Sequence, residues 1–261
     1  MDIATLIGLL VGFGGLLIGF TAEGGGAGML VAGPAALIVF GGTFGATIAS
    51  FTMDELKTLP GFFRMLFTDV KVNYSGTLDN LVRTADKARR EGLLSLESEL
   101  ETVEDDFLRR GMQLVIDGTD PELTRSMLEM EIDAFEKRTK VGEEMFMAAG
   151  GYSPTMGIIG TVMGLIKVLG SLDNAEALGP AIAGAFIATL YGVCAANVLW
   201  IPFGTKIKIK SGRLSTQMEM VLEGILSIQA GENPRVIKEK LLTFLPPEEK
   251  AAAIAAEGVA M

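Results

Sequence analysis

The chain has 261 residues, 49% of them hydrophobic, a mean hydropathy of +0.41 and a formal net charge of −10. That balance is too apolar for an ordinary soluble protein, and the acidity gives no support to nucleic-acid binding, which needs a basic face. With no histidine, imidazole relays and Ser/His or Cys/His nucleophiles are excluded. A single cysteine, Cys194, excludes an intramolecular disulfide and most cysteine metal sites, and its apolar surroundings in sequence read as packing.

Charge is segregated along the chain. Residues 1–56 hold no Lys or Arg, Lys167 is the only one between 141 and 205, and the others lie in 57–140 and 206–250. Membrane-like and water-like segments therefore alternate. Residues 3–20 are uncharged after Asp2 and lack the basic start of a signal peptide, so they read as a retained first span. Gly8, Gly12, Gly15 and Gly19 share a helix face, of the kind that lets membrane helices approach closely. After the turn 21–28, which carries Glu23, a second span is predicted over about 29–51. Pro34 sits in its first turns, and Gly41 and Gly45 are spaced four apart.

Residues 52–145 have helical periodicity and no useful strand alternation. Thr52 is the expected N-cap of a capping box with Glu55. Leu78, Leu81, Val82 and Ala85 recur on one face, Gly92 interrupts, and a second amphipathic run follows around Ser95 to Glu104. A further helix is expected over 121–145, with Pro121 at its first position. Spans three and four are expected over about 146–171 and 178–203, each close to the roughly 20 residues needed to cross hydrocarbon. Beyond 203, amphipathic helices are expected over 211–230 and 234–244. Pro246-Pro247 should stop the second, and an Ala-rich tail over 248–261 is expected to fray.

The composition thus predicts an all-α membrane protein of four transmembrane helices. Its expected parts are a hairpin (1–51), a large helical cytoplasmic domain (52–145), a second hairpin (146–203) and a C-terminal cytoplasmic helical segment (204–261). Lys and Arg cluster where the polar segments meet the membrane and are missing from turns 21–28 and 172–178, so both termini are expected in the cytoplasm. Trp200 is expected as an interfacial ring, with Asp173 and Glu176 marking the outer turn.

The second hairpin carries what a passive anchor does not need. Thr161 and Thr189 lie ten and eleven residues from their outer ends, at a depth of about 15 Å. Thr161 shares a face with Pro154, Gly157 and Gly164, and Thr189 with Ala185, Gly192 and Ala196. Small residues around a mid-membrane hydroxyl allow either tight helix packing or a narrow wet passage, and either Thr could simply bond the carbonyl four residues back. Pro154 and Pro202 free the carbonyls of Gly150 and Val198, leaving a plain kink or a hinge as alternatives. No Asp or Glu lies inside any span, and Lys167 is close enough to the outer end to snorkel. Proton-carrying machines use intramembrane carboxylates or histidines, so if this chain helps move protons or sodium the titrating carboxylate must come from another polypeptide.

The stretches YSPTMGIIGTVMGLI (152–166), AFIATLYG (185–192), WIPF (200–203) and RREGLLSLE (89–97) resemble the flagellar stator subunits of the MotA family. ExbB and TolQ are more distant likenesses, and the resemblance covers roughly 1–247 in the same order. It implies a pentameric ring around two MotB-type chains, each with one span, an ion-binding Asp and a peptidoglycan-binding domain. It implies no enzyme activity and no cofactor, only a transported proton or sodium ion. Thr161, Thr189 and Thr155 would line the ion path, and Pro154 and Pro202 would couple ion binding to movement. Arg89 (or its neighbour Arg90) with Glu97 would engage the rotor protein FliG, although a solvated face is the ordinary reading of such charges. A hydroxyl at Thr161 suits sodium, which must replace its hydration with oxygens. An ExbB- or TolQ-like energiser is the competing reading, disfavoured because those relatives have three spans. An autonomous channel is a third, and it predicts flux from this chain alone.

Overall fold

The computed structural model describes residues 2–70, 72–100, 103, 105–170 and 175–258. Among these residues every regular element is helical and there is no strand. Four helical runs are long and apolar enough to cross a membrane: Ile3–Ala22 (α1), Gly33–Ser50 (α2), the apolar part of Pro121–Leu169 (α8), and Leu178–Gln229. The last of these comprises α9 (Ala175–Cys194), a π-helical stretch (Ala195–Trp200) and α10 (Ile201–Gln229). Asp173 lies outside the described residues, as do Glu104 and the side chain of Glu176.

The chain divides into two compact units, one of residues 1–70 and 139–209, the other of 71–138 and 210–261. Composition draws its lines at 51, 145 and 203. Packing draws them elsewhere because α4 (Leu59–Phe67), preceded by the short α3 (Met53–Leu56), buries Phe62 and Leu66 among the aromatic residues of the apolar helices.

In the first unit, Asp2 caps α1 by accepting from the Thr5 amide at 3.1 Å. Thr52 and Glu55 form the expected capping box at the start of α3, and these hydrogen bonds hold the Glu55 carboxyl below its ordinary value. Pro34 occupies the first turn of α2, where a missing amide costs least. The core here is aromatic. Phe146 meets Phe63 edge-on at 5.2 Å and Phe203 at 5.8 Å, and it stacks on Trp200 at 6.4 Å. Trp200, expected as an interfacial ring, is buried among these aromatics, with Phe44 against its edge at 5.6 Å.

The second unit contains α5 (Tyr74–Glu91), a 3-10 turn (Leu93–Leu96), α6 (Glu97–Leu100) and α7 (Asp106–Ile116). Residues 121–138 of α8, 210–229 of α10, α11 (Pro234–Leu241) and α12 (Pro247–Gly258) complete it. Leu78, Leu81 and Ala85 of α5 are buried as their spacing predicts, and Val82 lies partly buried against the same core. That core also takes Leu128, Met220, Ile225, Ile237 and Leu241. The sequence reading passes over α7, although Asp105 caps it by accepting from Phe107 and Leu108 amides.

Two expectations fail locally. The helix expected to end near 145 continues to Leu169, because neither a cap nor a helix-ending turn stands at 145/146 and Gly150, Gly151 and Pro154 are carried within it. Pro247 does not simply stop a helix but opens α12, since a proline at the first helical position gives up an amide that has no partner anyway.

Lys240 holds the Glu232 carboxylate with bonds of 2.7 and 2.8 Å, which keeps the Glu232 pKa below its ordinary 4.5. The stability this pair contributes is present above pH 4.5 and is lost as pH falls through the lowered value. Thermal melts of the parent and of Glu232→Gln should therefore differ at neutral pH and converge in acid. A constant offset at every pH would remove the linkage.

Candidate ion-path site

Thr161 on α8 and Thr189 on α9 are brought together by a glycine crossing. A Cβ added at Gly157 would lie 2.9 Å from the Ala188 carbonyl oxygen and 3.1 Å from Thr189 Cα. One at Gly192 would lie 2.5 Å from the Ser153 carbonyl oxygen and 3.0 Å from Gly157 Cα. Gly160 and Gly164 face Ala188 and Ala185 in the same way. Within this chain the small-residue face is thus used for close backbone approach, and side chains that would separate the two helices are absent from it.

At the crossing the two hydroxyls hydrogen-bond to each other. Thr161 Oγ1 also lies 2.9 Å from the Ala185 carbonyl oxygen and 3.1 Å from that of Gly157, its own carbonyl four residues back. Thr189 Oγ1 lies 3.5 Å from the Gly157 carbonyl oxygen. Two hydroxyls have two protons between them. If one bridges the pair and the other goes to a carbonyl, lone pairs remain on both oxygens. The result is a half-buried cluster of neutral oxygen donors able to replace part of a cation's hydration but not to neutralise its charge. Among the described residues no group of carboxylates, His or Cys is placed to hold a metal ion.

Thr155 is not part of this cluster. It is exposed, and its hydroxyl donates to the Tyr152 carbonyl at 2.7 Å. Pro154 sits half-buried inside α8, which continues through it. Pro202 is the second residue after the π-helical stretch, which ends at Trp200. There the Ile201 amide reaches back five residues to Ala196, so the helix is already widened one residue before the proline removes a donor. Pro202 lines a groove of about 310 Å³ together with Thr5, Asn197 and Lys206.

Two features of this unit escape the sequence reading. The Tyr191 hydroxyl, two residues from Thr189, donates to the Leu30 carbonyl and accepts from the Ala32 amide at 3.2 Å, pinning the end of a 3-10 turn (Ala27–Leu30) and the extended residues before α2. A tyrosine in an apolar span needs a partner for its hydroxyl, and that was the available signal. Lys206 pairs with Asp2 at 2.6 Å, a contact across 204 residues that no local pattern announces.

In the second unit Arg89 and Arg90 end α5. Arg90 is held by Asp86 one turn back, with Nη2–Oδ2 at 2.9 Å and Nε–Oδ1 at 3.1 Å. Arg89 and Glu97 are both exposed and have no ion partner among the described residues. Neighbouring Lys87 and Glu99 pair with each other at 3.1 Å.

A family model described as the MotA/TolQ/ExbB proton channel family matches residues 99–220, and one described as Motility protein A N-terminal matches 6–92. Motility protein A of Bacillus subtilis is 40% identical over 254 residues, which cover 96% of this chain and 93% of that protein. Chemotaxis protein PomA of Vibrio alginolyticus is 34% identical, with 97% and 99% covered. Among solved structures, the flagellar MotAB stator complex of Bacillus subtilis matches with a TM-score of 0.90 at 39% identity, covering 96% of this chain and 99% of that one. MotAB of C. jejuni matches at 0.91 and 32%, covering 95% and 97%. By fold, by four apolar helices and by likeness over nearly its whole length, the chain belongs to the MotA/TolQ/ExbB proton channel family.

Proposed function

We propose that this chain, a flagellar motor stator subunit, turns inward cation flow into torque through the oxygen cluster at Thr161 and Thr189. The observation that carries the reading is that pair: two hydroxyls joined at a glycine crossing, in spans that contain no Asp or Glu. The missing negative charge then comes from a partner, and the likeness to MotAB complexes supports a MotB-type chain in that role. We assign it one span with an intramembrane Asp, encircled by a pentameric ring of this chain in the inner membrane, with both termini cytoplasmic. Pro154 and Pro202 relay the partner's change of charge to the helices that carry them. Pro202 is the better placed of the two, being next to a π-helical stretch that already strains the ladder.

Torque is delivered to FliG by Arg89 and Glu97. Arg90 is occupied by Asp86, which leaves Arg89 as the guanidinium available to an acidic partner. The transported ion is sodium in this reading, because neutral oxygens add nothing to a site that needs only to hold a proton. Removing one ligating hydroxyl from a charged ligand costs about 1.5–3 kcal/mol, roughly a tenfold to hundredfold loss of affinity. Thr161→Ala should therefore shift the sodium concentration for half-maximal swimming speed upward by at least about tenfold, with Thr161→Ser close to the parent. Swimming of the parent that does not depend on sodium would assign the path to protons and remove Thr161 as a ligand.

A further inference from the structure

Within the first unit a groove of about 350 Å³ runs between α2, α8 and α9. Its floor is made of small residues, Gly160, Gly164, Ala185 and Ala188, and its wall on α2 includes Pro34 and Ile38. From Gly160 to Lys167 the face of α8 rises through seven residues, about 10 Å. The lining is apolar with one charged exception at the outer end, the ammonium of Lys167. Lys167 is exposed and pairs with no carboxylate among the described residues, and it is the only Lys or Arg between 141 and 205.

We propose that this groove holds a phospholipid of the surrounding bilayer, with one acyl chain lying along Gly160, Gly164, Ala185 and Ala188 and its phosphate on the Lys167 ammonium. An unfilled groove at this depth forfeits dispersion contacts along its whole lining, and lipid tails are the apolar material at hand. The cation selects the occupant. A lysine near the end of a span extends toward the headgroup level, where phosphate is abundant. A packed apolar span from another chain would cover the floor equally well but would bring no counter-charge to Lys167. The position has a consequence for the ion path, since the acyl chain rests on Ala185, whose carbonyl lies 2.9 Å from Thr161 Oγ1. The lipid thus braces the outer half of the α8–α9 crossing, whichever cation the crossing serves.

The test is native mass spectrometry with phosphorus quantification on the complex purified with its partner and washed extensively in mild detergent. About one tightly held phospholipid per copy of this chain is expected, with anionic lipids preferred. Lys167→Gln, at an exposed position, should lose that preference and retain roughly fivefold less anionic lipid. Gly184→Leu, where an added Cβ meets nothing within 4 Å, should fill the groove and abolish retention while the complex still assembles. Equal phospholipid in parent and Gly184→Leu would overturn the proposal. So would an efficient disulfide, formed with an added oxidant, between Gly184→Cys and a cysteine introduced along a span of a second copy or of the partner, because either chain would then occupy the groove.

Discussion

Replacing Gly192 with alanine should paralyse the motor. The new Cβ would sit 2.5 Å from the Ser153 carbonyl oxygen and about as tightly against Gly157, whose Cα is 3.0 Å away. Both neighbours are backbone inside helices, so neither can rotate aside as a flexible side chain would. The two helices must separate, at an overpacking cost of about 1–3 kcal/mol. The mechanical consequence exceeds the energetic one, because separation pulls apart the Thr161–Thr189 pair held by the same crossing. The expected result is a protein that still reaches the membrane, a stator complex that melts earlier, and cells that do not swim. Gly151→Ala on the same helix α8 is the control. Its Cβ meets nothing within 4 Å, and alanine in place of a helical glycine stabilises by about 0.5–1 kcal/mol. Motility of Gly192→Ala at the level of the control would show that the crossing is not needed.

The second large effect is expected at the start of α1. The Asp2 side chain is 10% exposed, pairs with Lys206 at 2.6 Å and caps the helix at the Thr5 amide. Its own amide donates to the Phe67 carbonyl at 2.9 Å. Loss of the cap costs about 0.5–2 kcal/mol. Leaving Lys206, which is only 25% exposed, without its partner adds a penalty that approaches the 3–5 kcal/mol of a broken buried pair, lessened by that partial exposure. Asp2→Ala should therefore destabilise the complex by about 3 kcal/mol. Lys206→Ala alone should cost less, because the cap survives. In the double variant the two losses should fall short of their sum by roughly the energy of the pair, and strict additivity in a double-mutant cycle would show that no pair acts there. Lys206 and Pro202 are one turn apart on α10, so the same pair ties the segment beyond Pro202 to α1.

Much of the fold is legible in local chemistry. The Thr52–Glu55 capping box, Pro34 and Pro121 at helix starts, and the buried face Leu78, Leu81, Ala85 are all patterns completed within a few residues, and all occur as read. Errors arise where a local signal is outweighed. Pro247 looks like a terminator until the residues after it are seen to form a helix for which it is the first position.

Hydropathy, charge segregation and the absence of carboxylates from the spans are sums over neighbouring residues. They determine a four-span helical membrane protein whose apolar spans carry no acid of their own. Which atoms meet across those spans is decided only when helices distant in sequence close on one another. Thr161 finds Thr189, Tyr191 finds Leu30 and Ala32, and Asp2 finds Lys206. The reason is geometric: periodicity tells which residues share a face, but the partner of that face is set by how closely two backbones can approach, and at Gly157 and Gly192 that distance exists only because neither residue has a side chain.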